Sequence, residues 1–361
     1  MVHFFFGYII ATPFLVGLTD SYDSKKVYFI SSLIGSIGLI LFALFANGFY
    51  SALLMWSIVG AGFAGTYMPG LQILNERLNS KGKEKYVSVY TAFFGLGTAA
   101  SFFILGILKE YNLDWNYGFL IVASFQLLSG IPIILFSGPR IETKPHVRFS
   151  GILKILKSIY NVFKNKKAMP YIIGYGGHTY ELFGYRAWTF ACVVFLSSNY
   201  NINLSNIFIA NFLAVIGLTG IFSSIIGAQY CIGKNRPLII SYMGLICFFG
   251  SIVTAFSFWI NLYLALLFIF IYNILIIMDS GSLTTGTVLN GSSEDRGSRL
   301  ALHSIIGFFG GALGGPVVGL ALDSFGGENS KLSWSVGFVA LGLGSLLSSY
   351  VLKKNSKFNL K

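Results

Sequence analysis

Four ionisable side chains stand inside stretches that are otherwise apolar: His178, Glu181, Arg186 and Asp279. The first three share the run Gly174-Tyr-Gly-Gly-His178-Thr-Tyr-Glu181-Leu-Phe-Gly-Tyr185-Arg186-Ala-Trp188. At helical spacing Tyr171, Tyr175, His178, Glu181, Tyr185 and Arg186 fall within one arc of about 140°. Phe183, Ala187, Phe190, Ala191 and Val194 take the opposite side, so one face suits a wet cavity and the other suits packing. An ionised side chain at the middle of a bilayer costs at least ~2.5–3.5 kcal/mol, so such residues mark pathways or structural ion pairs. Glu181 can take up and release a proton. Arg186 offers a fixed charge and a planar fork of donors to an oxyanion. Five residues apart, the two are badly placed to pair along a straight helix, and each is expected to find its own partner. Asp279, in Met278-Asp279-Ser280-Gly281, could titrate, accept from a donor such as His303, or snorkel to the interface.

Other chemistry finds little support. His3, His146, His178 and His303 form no cluster, and Cys192, Cys231 and Cys247 have no metal-ligand spacing. No nucleotide-binding loop is present. No metal, no cofactor and no enzymatic activity are expected.

The elements that must position these residues are membrane spans. Hydrophobic residues make up 55% of the 361 and charged residues 11%, a balance that places the chain among polytopic membrane proteins. Apolar runs of spanning length predict eleven helices, near 2–18, 27–46, 52–74, 86–108, 115–137, 170–197, 204–228, 237–256, 262–288, 299–322 and 333–352. The expected fold class is therefore an all-α polytopic membrane protein. Of the 25 Lys and Arg, 22 fall in alternate loops and the C-terminal tail. That bias puts those loops and the C-terminus in the cytoplasm, and it turns the net charge of +12 away from a nucleic-acid reading. Met1-Val-His-Phe-Phe-Phe enters an apolar run with no basic leader, so no signal peptide is expected.

Residues 138–169 form a basic connector, with eight Lys or Arg against Glu142 alone. Within it Ile152, Leu153, Ile155, Leu156, Ile159 and Phe163 interleave with Lys154, Lys157 and Lys164, which predicts a short amphipathic helix on the lipid surface. The alternative is a solvated linker. The connector separates an N-terminal bundle (1–137, five visible spans) from a C-terminal bundle and tail (170–361, six spans).

The chain also repeats itself. Val16-Gly17-Leu-Thr-Asp20-Ser-Tyr-Asp-Ser-Lys25-Lys26 closes the first span, and Ile226-Gly-Ala-Gln-Tyr230-Cys-Ile-Gly233-Lys234-Asn-Arg236 closes the seventh. Trp115-Asn-Tyr-Gly118-Phe119 opens the fifth span as Trp334-Ser-Val-Gly337-Phe338 opens the eleventh. The sixth span has no counterpart before Met1, so the repeat leads one to expect a helix missing in front, by a start-site error or a real truncation. Restored, it gives two pseudo-symmetric six-helix bundles, a parallel-repeat transporter architecture.

On these residues the chain resembles the major facilitator superfamily. The turn after the first visible span is similar to that family's Gly-x-Leu-Ala-Asp-Arg-x-Gly-Arg-Lys signature. Leu18, Asp20 and Lys25 match, with Lys26 beside them, Gly17 lies next to Val16 at the glycine position, and Ser21, Asp23 and Ser24 depart. The second copy keeps Gly233 and Lys234 and replaces the acid with Tyr230. The resemblance implies alternating access and makes Gly17, Asp20, Lys25, Lys26, Gly233 and Lys234 candidates for a conformational switch. Gly307, Gly311, Gly315 and Gly319 recur every fourth residue beside Pro316, which predicts a helix-packing stripe on a bent helix. The set Gly311-x-x-x-Gly315-Pro316-x-x-Gly319 also resembles the superfamily's antiporter signature. It lies in the wrong helix for that role, which favours packing. Tyr67-Met68-Pro69-Gly70 is expected to break the third visible span.

The resulting expectation is a secondary transporter of a small, anionic solute, driven by protons or by exchange. His178, Glu181, Tyr185, Arg186 and Asp279 are its binding and coupling residues. Sugar or drug efflux transport and a non-transporting sensor of the same fold are the alternatives. A monomer in a bacterial inner membrane fits the short loops and the excess of Lys over Arg.

Overall fold

A computed structural model describes residues 2–20, 22–78, 83–139, 152–292 and 294–356. Among them the secondary structure is helical and no strand occurs. In chain order the helices are α1 (Val2–Leu15), α2 (Ser24–Phe45), α3 (Phe49–Arg77), α4 (Lys83–Glu110), α5 (Trp115–Phe136), α6 (Ile152–Val162) and α7 (Met169–Asn199). They continue with α8 (Asn206–Tyr230), α9 (Arg236–Ser257), α10 (Leu262–Ile277), α11 (Ser280–Leu289), α12 (Arg296–Ser324) and α13 (Lys331–Ser356). A single 3-10 turn, Gly17–Asp20, follows α1. Side-chain caps set several starts: Asp23, Ser205, Asn235 and Asn261 each accept from a backbone N–H in the first turn that follows.

Nine helices among the described residues are long and apolar enough to cross a membrane, not the expected eleven. Two expected spans account for the difference. The first is a shorter apolar helix, Phe4–Thr19. The other is α7, which at 31 residues has ample length but carries too many Tyr, Gly, His and charged residues. The expected ninth span is α10 and α11 in series, with Met278 and Asp279 at the joint. The break expected at Tyr67–Gly70 does not occur, since α3 runs through Pro69, and α12 likewise continues through Pro316. Proline is tolerated in spans because neighbouring groups re-satisfy the freed backbone.

The chain forms two compact units: residues 1–87, 112–169 and 287–308 make the first, and 88–111, 170–286 and 309–361 the second. In the first, α3 packs on α2 and α1, and α2 also packs on α5. At Gly62 any Cβ would run into the backbone of Gly35, so these helices touch main chain to main chain. Leu39, Val59 and Ala123 centre a core flanked by Phe4, Trp56 and Phe119. The second unit packs α9 against α13 and α10, and α10 against α8, with Gly177 and Gly344 in mutual backbone contact. Its core gathers Tyr185, Cys192, Tyr272, Trp334 and Phe338.

Candidate functional site

The polar face of α7 points into the second unit instead of a wet cavity. Tyr171, Tyr175, His178, Glu181 and Tyr185 are all buried, and Ala191 and Val194 on the opposite side are exposed. The reason lies in partners contributed by other helices. Glu181 is fully inaccessible, and its carboxylate accepts from Tyr272 Oη of α10 at 2.5 Å and from Cys247 Sγ of α9 at 3.5 Å. Ser345 Oγ of α13 donates to its other oxygen. Four helices thus converge on one carboxyl, and these hydrogen-bond partners are neutral.

One turn toward the N-terminus of α7, His178 Nδ1 lies 2.8 Å from Asp279 Oδ1, both side chains buried. That distance makes an ion pair whenever the imidazole is protonated, although Oδ1 sits outside hydrogen-bonding geometry. Asp279 reaches this place because it occupies the joint between α10 and α11, where the chain leaves one helix and enters the next. Its partner is His178. His303, the donor considered from sequence, instead has its Nδ1 3.0 Å from Thr287 Oγ1. Tyr175 stacks on His178 with ring centroids 5.7 Å apart.

Tyr185 donates to the Ile269 carbonyl at 2.9 Å and packs edge-on against Tyr272, so it braces α10. Arg186 is half-buried, with its guanidinium 5.0 Å from the centre of the Phe94 ring. The structure does not bring Arg186 and Glu181 together as a pair, which agrees with their awkward spacing.

The glycine stripe shifts by one residue. Gly310 and Gly314 meet the backbone of α7 at Gly176 and Tyr180, leaving no room for a Cβ. Gly311 faces the Phe183 ring, a Cβ on Gly315 would find only that of Ala187 at 3.9 Å, and Gly319 faces Trp188. The Trp188 indole donates to the Gly315 carbonyl at 2.7 Å, next to Pro316. Gly314→Val is therefore expected to lower the melting temperature of the detergent-solubilised protein by several degrees, since overpacking against backbone costs about 1–3 kcal/mol. Gly315→Ala should leave it unchanged. Equal melting temperatures for both variants would disprove the register.

The first unit holds two charged clusters that sequence reasoning missed. Arg77 donates to both oxygens of Asp23, at 2.8 and 3.1 Å, to Glu76 at 3.2 Å and to the Gly138 carbonyl at 2.8 Å. Glu76 is fully buried and accepts from Ser24 at 3.0 Å and Gln72 at 3.1 Å. Asp23, counted as a departure from the signature, is thus the acid that ties the α2 turn to α3. Asp20 ends the 3-10 turn, and its side chain lies outside the described residues. Gly17 has the Ile155 side chain packed where a Cβ would be, while Lys25 is half-buried and Lys26 exposed. In the second copy of the turn Gly233 adopts φ +70°, a left-handed conformation suited to glycine, and Lys234 folds over the Tyr230 ring at 3.5 Å. The other cluster is Arg299, fully buried in α12, which donates to the Thr287 and Val288 carbonyls at 3.3 and 3.2 Å and pairs with Asp295. It closes the C-terminal end of α11.

Among the described residues no group of His, Cys, Asp and Glu is arranged to hold a metal ion. The site offers a buried carboxyl, a His–Asp pair and a guanidinium at different depths of one bundle, a set that can exchange protons and hold an anion.

The family model described as Major Facilitator Superfamily matches residues 1–291. An uncharacterized transporter of Buchnera aphidicola subsp. Schizaphis graminum is 23% identical over 256 residues, 69% of this chain. The chain spans 58% of the length of that relative. Among solved structures, the human organic anion transporter MFSD10 (TETRAN) is similar with a TM-score of 0.69 at 14% identity, covering 97% of this chain and 82% of its own. The E. coli fucose:proton symporter FucP is similar with a TM-score of 0.64 at 15% identity, covering 96% and 89%. Identities this low establish a shared fold. The match across residues 1–291, carried on an all-helical multi-pass fold, shows that this chain belongs to the Major Facilitator Superfamily.

Proposed function

We propose that the chain is a secondary active transporter that moves a small anionic solute by alternating access, coupled to protons. In this reading two helical halves, joined through 138–169, expose a site near the midplane first to one side and then to the other. The observation that carries it is Glu181, a carboxylate sealed in the bundle and held by neutral donors from three other helices. An unpaired charge there is expensive, so a carboxyl that binds a proton in one state and loses it in another can drive the cycle. Arg186 supplies the fixed charge for the anion. The fold is shared with a fucose:proton symporter and with an organic anion transporter, so proton coupling and anionic solutes both occur in this architecture. The protein would work in a cell membrane, with its C-terminus in the cytoplasm, as a monomer.

The test is flux into proteoliposomes under an imposed pH gradient, across organic and inorganic anions with neutral sugars as contrast. Gradient-stimulated uptake of an anion, with proton movement, is the expected result. Sugar uptake alone would replace the anion assignment, and no flux of any solute would overturn transport.

The turn after α1 supplies a further prediction. Asp20→Asn and Asp23→Asn should both slow turnover while solute affinity stays within about twofold, because both residues sit far from the midplane and bias only one conformation. Asp23→Asn should have the larger effect, since it removes the bidentate clamp on Arg77. A large loss of affinity with normal exchange rates would contradict this.

A further inference from the structure

Helix α6 has three distinct faces. Ile155, Ile159 and Val162 turn inward, with Ile159 and Val162 buried, and the helix packs on α1 and the 3-10 turn. Leu153, Leu156 and Tyr160 are exposed and, at 100° per residue, share an arc of about 60° beside the inward face, and Phe163, also exposed, follows in the turn that ends the helix. Beyond that arc come Lys154 and Lys157, with Lys164, Lys166 and Lys167 just after the helix, and residues 152–169 contain no acid. Two hydrogen bonds pin the element in place: Ser298 Oγ to Ser158 Oγ at 2.9 Å and Asn165 Nδ2 to the Asn290 carbonyl at 2.8 Å.

A helix that only had to dock would need its inward stripe and could be polar elsewhere. A solvated linker would have no use for four large apolar side chains in a row on its outer surface. A docked stripe, then an apolar stripe, then a row of lysines matches a helix seated where protein, acyl chains and headgroups meet. The chain continues from it into α7, the 31-residue helix that carries Glu181. We infer that the Leu153–Leu156–Tyr160 face of α6, extended by Phe163, binds the membrane surface, with Lys154, Lys157 and Lys164 selecting anionic phospholipid headgroups. Each lysine near an anionic leaflet is worth about fivefold in partition, so the three together select it by roughly a hundredfold.

The native cysteines suit a labelling test. All three are buried, and burial pushes the Cys231 thiol up, away from the reactive thiolate. Leu153→Cys in the full chain can therefore be labelled selectively with a polarity-sensitive NBD dye. The labelled protein is reconstituted into phosphatidylcholine vesicles with and without phosphatidylglycerol. Emission is expected to brighten and shift to the blue with phosphatidylglycerol, and to lose that response in high salt. Adding Lys154→Gln, Lys157→Gln and Lys164→Gln should return it to the neutral-lipid value. A label at Ile246→Cys, exposed on α9, should keep one emission throughout and so reports that each variant is folded in the membrane. If the Leu153 label ignores lipid charge and the lysine substitutions, the assignment is wrong. If it follows protein density in the bilayer instead, the face belongs to a second copy of the chain.

Discussion

Glu181→Gln protein in proteoliposomes is expected to lose proton-gradient-driven uptake by about a hundredfold, equivalent to about 2.7 kcal/mol. Solute exchange without a gradient should persist within several-fold. Glutamine keeps the shape of glutamate, and its carbonyl oxygen can still accept from Tyr272 or Ser345, so the convergence of α7, α9, α10 and α13 survives. What it cannot do is gain and lose a proton. Driven and undriven fluxes therefore separate, which general damage would not produce. Asp279→Asn serves as the comparison, because it removes the charge facing His178 and leaves the hydrogen bonds of Glu181 in place. That variant should keep the pH dependence of uptake and lose some thermal stability. If Asp279→Asn abolished the pH dependence and Glu181→Gln preserved it, the coupling carboxylate would be Asp279, and the Glu181 cluster would be a structural lock.

The spans and the superfamily resemblance were legible in the sequence because hydropathy and loop charge are local properties. A run of apolar residues betrays its helix without knowledge of any neighbour. Even so, α7 falls outside the apolar helices for the same reason it attracted attention, its density of polar side chains. Glu181 was legible as an anomaly, but its partners were not. Cys247, Tyr272 and Ser345 are ordinary residues lying 66, 91 and 164 positions away, and nothing nearby in sequence marks them. Their approach is decided by helix packing, which also turned the polar face of α7 inward where a wet face had been expected. Asp23 was hidden by the signature itself, since matching Asp20 to the family's acid made its neighbour look incidental. Arg299 stood at a loop edge and counted as a topology charge, whereas the fold buries it against the carbonyls that end α11. The one-residue shift of the glycine stripe has a similar origin. Gly311 accommodates the Phe183 ring, and the closest backbone approach passes to Gly310 and Gly314.

Arg186→Ala is expected to abolish solute binding, and Arg186→Lys to weaken it by about ten- to a hundredfold, or about 1.4–2.7 kcal/mol. The guanidinium keeps its charge at any physiological pH, so its effect cannot come from titration. Lysine preserves the charge but gives up the planar fork that grips two oxygens at once, and with it the guanidinium's contact with the Phe94 ring. Phe94→Leu isolates that contact and should cost only about 0.5–2 kcal/mol in binding, because the fork remains. The order Ala, Lys, Leu from worst to mildest therefore identifies the fork as the group that meets the solute. Binding of the anions found by flux, measured on the solubilised variants, gives that order directly. A structural arginine would behave differently: both Arg186 variants would fail to fold, and Arg186→Leu combined with Glu181→Leu would restore folding by removing two opposite charges together. The geometry argues against that rescue, since Glu181 is held by Tyr272, Cys247 and Ser345. Deleting it would leave three buried donors without their acceptor, each costing roughly 1–3 kcal/mol, and the double variant should be less stable than Arg186→Leu alone.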